Sequence, residues 1–162
     1  MTLREISLSL PNRPGTLASI ARTLAQERIN VAAISVDSTG TRGRVRLIVS
    51  DPDRAMALLG ASGLKSEVRE MLAVRLEDRA GSFLKVLEAL AKGKVNVQSV
   101  AILVAREGSH PLVALSTNDL ARARKLLRQA GFSSGLADRL VSNPDLLAAA
   151  PSIPAESVGL LL

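Results

Sequence analysis

Asn12-Arg13-Pro14-Gly15-Thr16-Leu17 and Asp78-Arg79-Ala80-Gly81-Ser82-Phe83 are two copies of one motif, displaced by 66 positions. Each copy leads, at the same interval, to a second shared segment: Ile29-Asn30-Val31 and Val95-Asn96-Val97. A glycine stands three positions after the start of each copy, and an apolar run with helical spacing follows it. Self-similarity at a fixed period indicates a tandem duplication.

The composition describes an aliphatic, weakly basic chain. Its 162 residues carry a formal charge of +6, and 47% are apolar, without cysteine, tryptophan or tyrosine. Disulfides and thiolate metal sites are therefore excluded. Charges stand near the start, where a signal peptide would be apolar, and no uncharged run approaches the roughly 18 residues that span a bilayer. We expect a cytoplasmic protein with no membrane contact and no cofactor.

Each copy of the motif lies in a segment that predicts the order βαββαβ. Residues 3 to 10 alternate like a half-buried strand, and an apolar helical face follows Pro14, which is expected at the first helical position. Strand-like runs at 31 to 36 and 44 to 49 come next, followed by a short helix. The segment 65 to 77 has no break, so the last strand of the first unit should be fused to the first strand of the second.

The fold class follows from this order. Helices on one face of a four-stranded antiparallel sheet make an α+β, ferredoxin-like sandwich, here present twice in tandem. We expect one domain at 1 to 70, a second at 71 to 135, and a C-terminal tail with a short helix at 136 to 162.

The two sheets should differ on the face that carries no helices. In the first unit this face is expected to be polar, with Ser7, Ser9, Ser35, Asp37, Arg44 and Arg46. In the second unit it is expected to be apolar, with Ala73, Ala101, Leu103, Val113 and Leu115. An apolar face must be covered. The expected cover is a second subunit or the tail beyond Phe132.

The repeated motif forms a strand-to-helix corner in each unit; residues 12 to 16 are named corner one and residues 78 to 82 corner two. The first N–H groups of a helix lack partners and attract anions. The glycines permit close approach, and Asn12 offers both a donor and an acceptor. This chemistry suits a zwitterion. A single such loop is more commonly an ordinary helix cap and turn, and Asn30 and Asn96 fit helix C-caps. The duplication favours a functional role but also copies structural turns, so the spacing leaves both interpretations open.

At these residues the sequence resembles the ACT domain family, in particular stand-alone proteins built from two ACT domains in tandem. The resemblance covers residues 3 to about 132. In the family's serine-sensing domain the loop reads Asn-Arg-Pro-Gly and a second Asn ends the first helix; Asn12, Gly15 and Asn30 match these positions. The resemblance implies a non-catalytic regulatory module that binds a small amino acid between paired domains, forms a homodimer and modulates a partner enzyme.

The ligand-binding residues that the resemblance implies are Asn12, Arg13, Pro14, Gly15, Thr16, Asn30, Asp78, Gly81, Ser82 and Asn96. If the units pair side by side, one site would join corner one to Asn96 and a lesser one would join corner two to Asn30. The serine-sensing domain has a His where this chain has Leu10, so serine itself is not implied. The carboxylate of Asp78 would repel a ligand carboxylate, although it could pair with an ammonium group, so equivalent sites are not expected.

An enzyme is the first alternative class. Ser62 and Ser82 each begin a Ser-x-x-Lys match, but no accompanying signature occurs. His110 is the single histidine of the chain, so no histidine cluster can form. Asp51 and Asp53 flank Pro52 at a helix start, where acids act as caps. We expect no catalytic residue and no metal site.

Two further alternatives keep the fold. An RNA-binding protein of this topology would use aromatic residues on its sheet, and the first unit has none, although Arg42, Arg44 and Arg46 line one strand. We therefore expect a solvated or partner-facing arginine row and no nucleic acid. The other alternative is a ligand-free scaffold that only dimerises or docks on an enzyme.

Overall fold

The computed structural model describes residues 2 to 107 and 110 to 132. Ten elements follow one another: β1 (Leu3–Pro11), α1 (Thr16–Gln26), β2 (Val31–Thr39), β3 (Arg42–Val49), α2 (Pro52–Ala61), β4 (Ser66–Arg75), α3 (Ser82–Lys92), β5 (Val97–Glu107), β6 (His110–Thr117) and α4 (Leu120–Gln129). The short helix predicted in the tail at 136 to 162 lies outside the described residues.

The strands form one antiparallel sheet with the order β2-β3-β1-β4-β6-β5. Strand β4 belongs to both units. Its residues 66 to 71 pair with β1, and its residues 72 to 75 pair with β6. The predicted tandem ferredoxin-like fold and the fused strand are thus confirmed, and one strand runs through the junction where a linker between domains would otherwise stand.

Strand register reproduces the duplication. The pair Val36–Val45 of the first unit corresponds to Ile102–Val113 of the second. Beyond this point the displacement changes, because two additional residues lie in β5 between Ile102 and Arg106, where the register shifts. Equivalent positions are therefore 66 apart before this irregularity and 68 apart after it.

Three apolar clusters hold the described part together. Helices α1 and α2 cover one face of the first unit around Ile6, Leu8, Leu24, Leu47 and Leu59. Helices α3 and α4 cover the second around Leu72, Val74, Val86, Leu90 and Leu127. The third cluster joins the two faces without helices through Leu3, Ile48, Met71, Leu103, Leu112 and Ala114. The sheet therefore curls, with its helices outside, until Cα atoms of β2 and β5 come within 8 Å.

This curling corrects the prediction for the apolar face. Val113 and Leu115 were expected on the face without helices, but they pack in the cluster under α3 and α4. Leu112 and Ala114 lie on the helix-free face instead. Residues 112 to 115 are all apolar, so alternation cannot reveal which face each one takes. Among the described residues, the first unit covers this face.

The helix starts differ in how they are capped. Asp51 and Asp119 accept hydrogen bonds from the backbone N–H of Arg54 and Arg122 at 3.1 and 2.9 Å, which confirms the predicted cap at Asp51. Asp53 does not cap; both of its oxygens bind Arg4, at 2.7 and 2.6 Å. Helix α1 begins at Thr16, two residues later than Pro14 predicted.

Candidate ligand-binding site

The two corners have the same backbone geometry. Gly15 and Gly81 cap α1 and α3 in the left-handed region, with φ of 85° and 84°. In each corner the third residue before the helix donates its N–H to the carbonyl two positions earlier, at 3.0 Å from Arg13 and 2.9 Å from Arg79. A side chain at either glycine would meet nothing within 4 Å. The glycines are thus required by the backbone turn, and they leave open space above it.

Neither helix start carries a side-chain cap or an acidic residue in its first turn. In the described part of the chain, the N–H groups of Leu17 and Ala18, and of Phe83 and Leu84, have no hydrogen-bond acceptor. Unpaired N–H groups at a helix start attract negative charge. Both corners therefore retain the donors that a carboxylate would use.

Corner one is fastened to the neighbouring hairpin. The backbone N–H of Asn12 donates to the carbonyl of Thr41 at 2.8 Å, and its side-chain amide donates to the carbonyl of Gly40 at 3.1 Å. Asn12 is thus not the N-cap of α1. Residues 12 to 15 are exposed and Thr16 is half-buried.

Corner two opens onto a cavity of about 240 Å³. Ser82 lines it, is only 6% exposed, and its Oγ has no hydrogen-bond partner. The basic groups of Arg75, Lys85 and His110 also line the cavity, and Phe132 forms an apolar wall. Glu77, the one acid among the described lining residues, pairs with Arg79 at 2.5 Å. This surrounding favours an anionic group beside the Ser82 hydroxyl.

The equivalent positions of corner one explain why it lacks this lining. Arg75 and His110 correspond to Ser9 and Arg42. The guanidinium of Arg42 donates to the Oγ and carbonyl of Ser9 at 2.9 and 3.2 Å, which joins the two strands there. Lys85 corresponds to Ser19, which carries no charge. Corner two thus has the cavity and the basic lining that corner one lacks, although the sequence had indicated corner one as the stronger site.

Asn30 and Asn96 tie the start of an edge strand to the strand beside it. The N–H of Asn30 donates to the Oγ of Ser50 at 3.0 Å, and the N–H of Asn96 donates to the Oδ1 of Asn118 at 2.9 Å. The C-caps of α1 and α3 are Glu27 and Gly93, so neither asparagine caps a helix.

The register does not bring either corner to either asparagine. Asn30 and Asn96 precede β2 and β5 near the middle of the sheet, level with the junction of β4, whereas the corners follow the far ends of β1 and β4. At about 3.3 Å per residue, each corner is separated from Asn30 and Asn96 by about 25 Å along the strand direction. The sites predicted for side-by-side units would therefore need a second copy of the chain.

The described residues supply little for other chemistry. Ser82 and Lys85 of the Ser-x-x-Lys match share a cavity, but the Ser82 Oγ makes no hydrogen bond to Lys85, as an activated nucleophile would. Among the described residues no three His, Cys, Asp or Glu side chains gather as metal ligands. No described helix has the length and apolar character needed to cross a membrane.

Comparison with known proteins identifies the family of the chain. The sequence model of the family described as the ACT domain pair matches residues 1 to 127. The chain belongs to the ACT domain family. No curated protein sequence matches it significantly.

Solved structures share the fold of this ACT domain pair. A Bacteroides thetaiotaomicron protein is 22% identical with a TM-score of 0.77, over 87% of this chain and 96% of its own. The ligand-free regulatory subunit of aspartate kinase from Thermus thermophilus is 20% identical with a TM-score of 0.58, over 80% and 92%. Aspartate kinase from Synechocystis is also 20% identical, with a TM-score of 0.52, over 78% of this chain and 25% of its own.

Proposed function

We propose that this ACT domain pair is a regulatory module that binds a small amino acid at corner two and modulates a partner enzyme. The observation that carries the proposal is the buried, unpartnered hydroxyl of Ser82, which lines a cavity beside the uncapped start of α3. A buried hydroxyl without a hydrogen bond is costly, and a ligand that supplies the bond removes that cost.

The lining assigns a role to each end of a zwitterion. The ligand carboxylate would accept hydrogen bonds from the Ser82 hydroxyl and the free N–H groups of α3, with Lys85 as counter-charge. Its ammonium group would bind the carboxylate of Glu77, which also lines the cavity. Since about 240 Å³ is smaller than the roughly 300 to 1,000 Å³ of pockets for drug-sized molecules, the ligand must be small.

The position of the cavity offers a route for a signal. It is lined by residues from the end of β4, the start of β6 and the segment after α4. A ligand that contacts all three would favour one packing of α3 and α4 over another, which is the requirement for coupling to a partner. Val36 and Ile102, at equivalent positions of the two edge strands, are 48% and 74% exposed and would suit a contact with a second copy or the partner enzyme.

Thermal melts against the twenty amino acids test the proposal. A ligand at 100 times its dissociation constant should stabilise the protein by about 2.7 kcal/mol. Ser82→Ala should weaken binding by at least about tenfold, because it removes a hydrogen bond to a charged group. Ser116 is the matched control: its hydroxyl is also buried and unpartnered but lies outside the cavity, so Ser116→Ala should bind normally.

The outcomes separate three interpretations. If no amino acid stabilises the protein while it still dimerises in sedimentation, a scaffold with empty corners replaces the sensor; the internal hydrogen bond of Asn12 already gives corner one a structural role. If binding survives Ser82→Ala but is lost in Asn12→Ala, the site is corner one. Equal losses in Ser82→Ala and Ser116→Ala would show only a general loss of packing.

A further inference from the structure

A second cavity, far from the corners, separates the two edge strands. It measures about 500 Å³ and lies between β2 and β5, where the curled sheet fails to close. Its polar floor comes from Glu5 of β1 and Arg46 of β3, and one wall comes from Ser99 of β5. Ala33, Ile48 and Ala101 supply apolar surface. We name this cavity the edge cleft.

Glu5 is the unusual residue of the edge cleft. It is only 4% exposed, although carboxylates are almost never buried without a partner. Its one hydrogen bond to a described residue is long: the hydroxyl of Ser99 donates to Oε2 at 3.5 Å. An ionised carboxylate has about four acceptor sites, so most of its capacity is unused.

Three arginines lie near Glu5: Arg44, Arg46 and Arg69 line a smaller neighbouring cavity together with it. Arg46 donates to the Oγ of Ser35 at 3.0 Å and forms its ion pair with Asp37. Arg69 stands opposite Glu5 in the register, and its side chain is exposed. In the described part of the chain, no ion pair includes Glu5. The edge cleft is thus lined by a buried carboxyl group that makes no ion pair within the described part of the chain.

We propose that the edge cleft binds the ammonium group of a small aliphatic amine, with Glu5 as the counter-ion. Ser99 would orient the carboxylate, and Ala33, Ile48 and Ala101 would contact the aliphatic part. Glu5 belongs to the first unit and Ser99 to the second, so the amine would bridge the two halves across the open side of the sheet. The proposal is independent of corner two, which lies at a far end of the fold.

Titration of the full chain with n-butylammonium, followed by amide NMR spectra, tests this site. We expect saturable shifts at Ala33, Ser99 and Ala101, with a dissociation constant of about 1 mM or lower. Glu5→Gln keeps the shape but removes the charge, and should weaken binding by at least about tenfold. Glu67→Gln removes an exposed acid from the same face of the sheet, on the neighbouring strand β4, and should change binding by less than about twofold.

Three results would overturn the proposal: no saturable shifts, the same shifts with uncharged 1-butanol, or unchanged binding in Glu5→Gln. If Glu5→Gln does not fold, Ala101→Val serves instead, because it fills the cleft at a half-buried position and should abolish the shifts. Ser82→Ala should leave amine binding unchanged, so failure here is distinguishable from failure at corner two.

Discussion

Met71 and Leu72 are adjacent in β4 but pair with different units: Met71 with Leu3 of β1, and Leu72 with Leu115 of β6. Their side chains point to opposite faces of the strand. Met71 packs in the cluster between the helix-free faces, and Leu72 packs under α3 and α4. The peptide bond between Met71 and Leu72 thus links the β1–β4 pairing to the β4–β6 pairing, and it links two of the three apolar clusters.

Met71→Ala should destabilise both units together. The side chain is fully buried in the shared cluster, so its truncation should cost about 2 to 5 kcal/mol. Val68→Ala on the same strand is the control, because Val68 is 44% exposed and should cost less than about 1 kcal/mol. Urea unfolding should remain one transition with a lower midpoint. Two separate transitions, only one of them shifted, would show that the units fold independently.

Gly81→Ala should cost about 1 to 2 kcal/mol, because φ is 84° and a Cβ is disfavoured in the left-handed region even without a steric clash. Gly15→Ala should cost a similar amount. Gly60 lies inside α2, where an added Cβ also meets nothing, so Gly60→Ala should stabilise the protein by about 0.5 to 1 kcal/mol. Chemical denaturation measures all three; the same sign at Gly60 and Gly81 would contradict the backbone argument.

Gly93→Ala should be destabilising for a different reason. A Cβ there would lie 2.1 Å from Cδ1 of Leu126, so α3 and α4 would have to separate or Leu126 would have to change rotamer. We expect a loss of about 1 to 3 kcal/mol. Leu126→Ala alone should also destabilise, but the double variant should be more stable than the sum of the two predicts, by at least about 0.5 kcal/mol. If the effects of the two substitutions on the free energy of unfolding were strictly additive, the cost of Gly93→Ala would not come from a clash with Leu126.

The Arg4–Asp53 pair joins β1 to the first turn of α2. Its hydrogen bonds to Arg4 lower the pKa of Asp53, and the same contact raises the pKa of Arg4. A lowered carboxylate pKa favours the folded state above about pH 4, and this contribution is lost as the pH falls through the folded-state pKa.

Arg4→Gln should therefore raise the pKa of Asp53 toward its ordinary value, as followed by carboxyl NMR titration. Asp119, which caps α4 in the other unit, is the internal reference. An unchanged Asp53 titration curve would show that the pair does not persist in solution. Because Asp53 is exposed, the accompanying change in stability should be small.

The sequence predicted the turns, the helix cap and the fused strand correctly. The repeated glycines indicate turns, which the structure has at Gly15 and Gly81, and Asp51 before Pro52 predicts a capped helix. The unbroken pattern from 65 to 77 predicts the fused strand. Each of these depends on neighbouring residues and on backbone preferences that act within a few positions.

The sequence predicted only some of the residues of the candidate sites. Corner two was predicted, but the cavity also needs Arg75, His110 and Phe132, which come from three distant segments. Lys85 carried a weak signal through its Ser-x-x-Lys spacing. Glu5 was missed, although an acid two positions from the apolar Leu3 on the same strand face was an available sign.

The sequence by itself determined the duplication, the order of the elements and the chemistry of the two corners, because these follow from periodicity and from residues close together in the chain. Only the tertiary structure decided that the helix-free faces cover each other, that Leu112 rather than Val113 lies between them, and that Glu5 meets Ser99 across the edge cleft. Those outcomes depend on how the whole sheet curls around β4. A strand that is buried on both faces shows no alternation of polar and apolar residues, so its sequence does not predict which face each side chain takes.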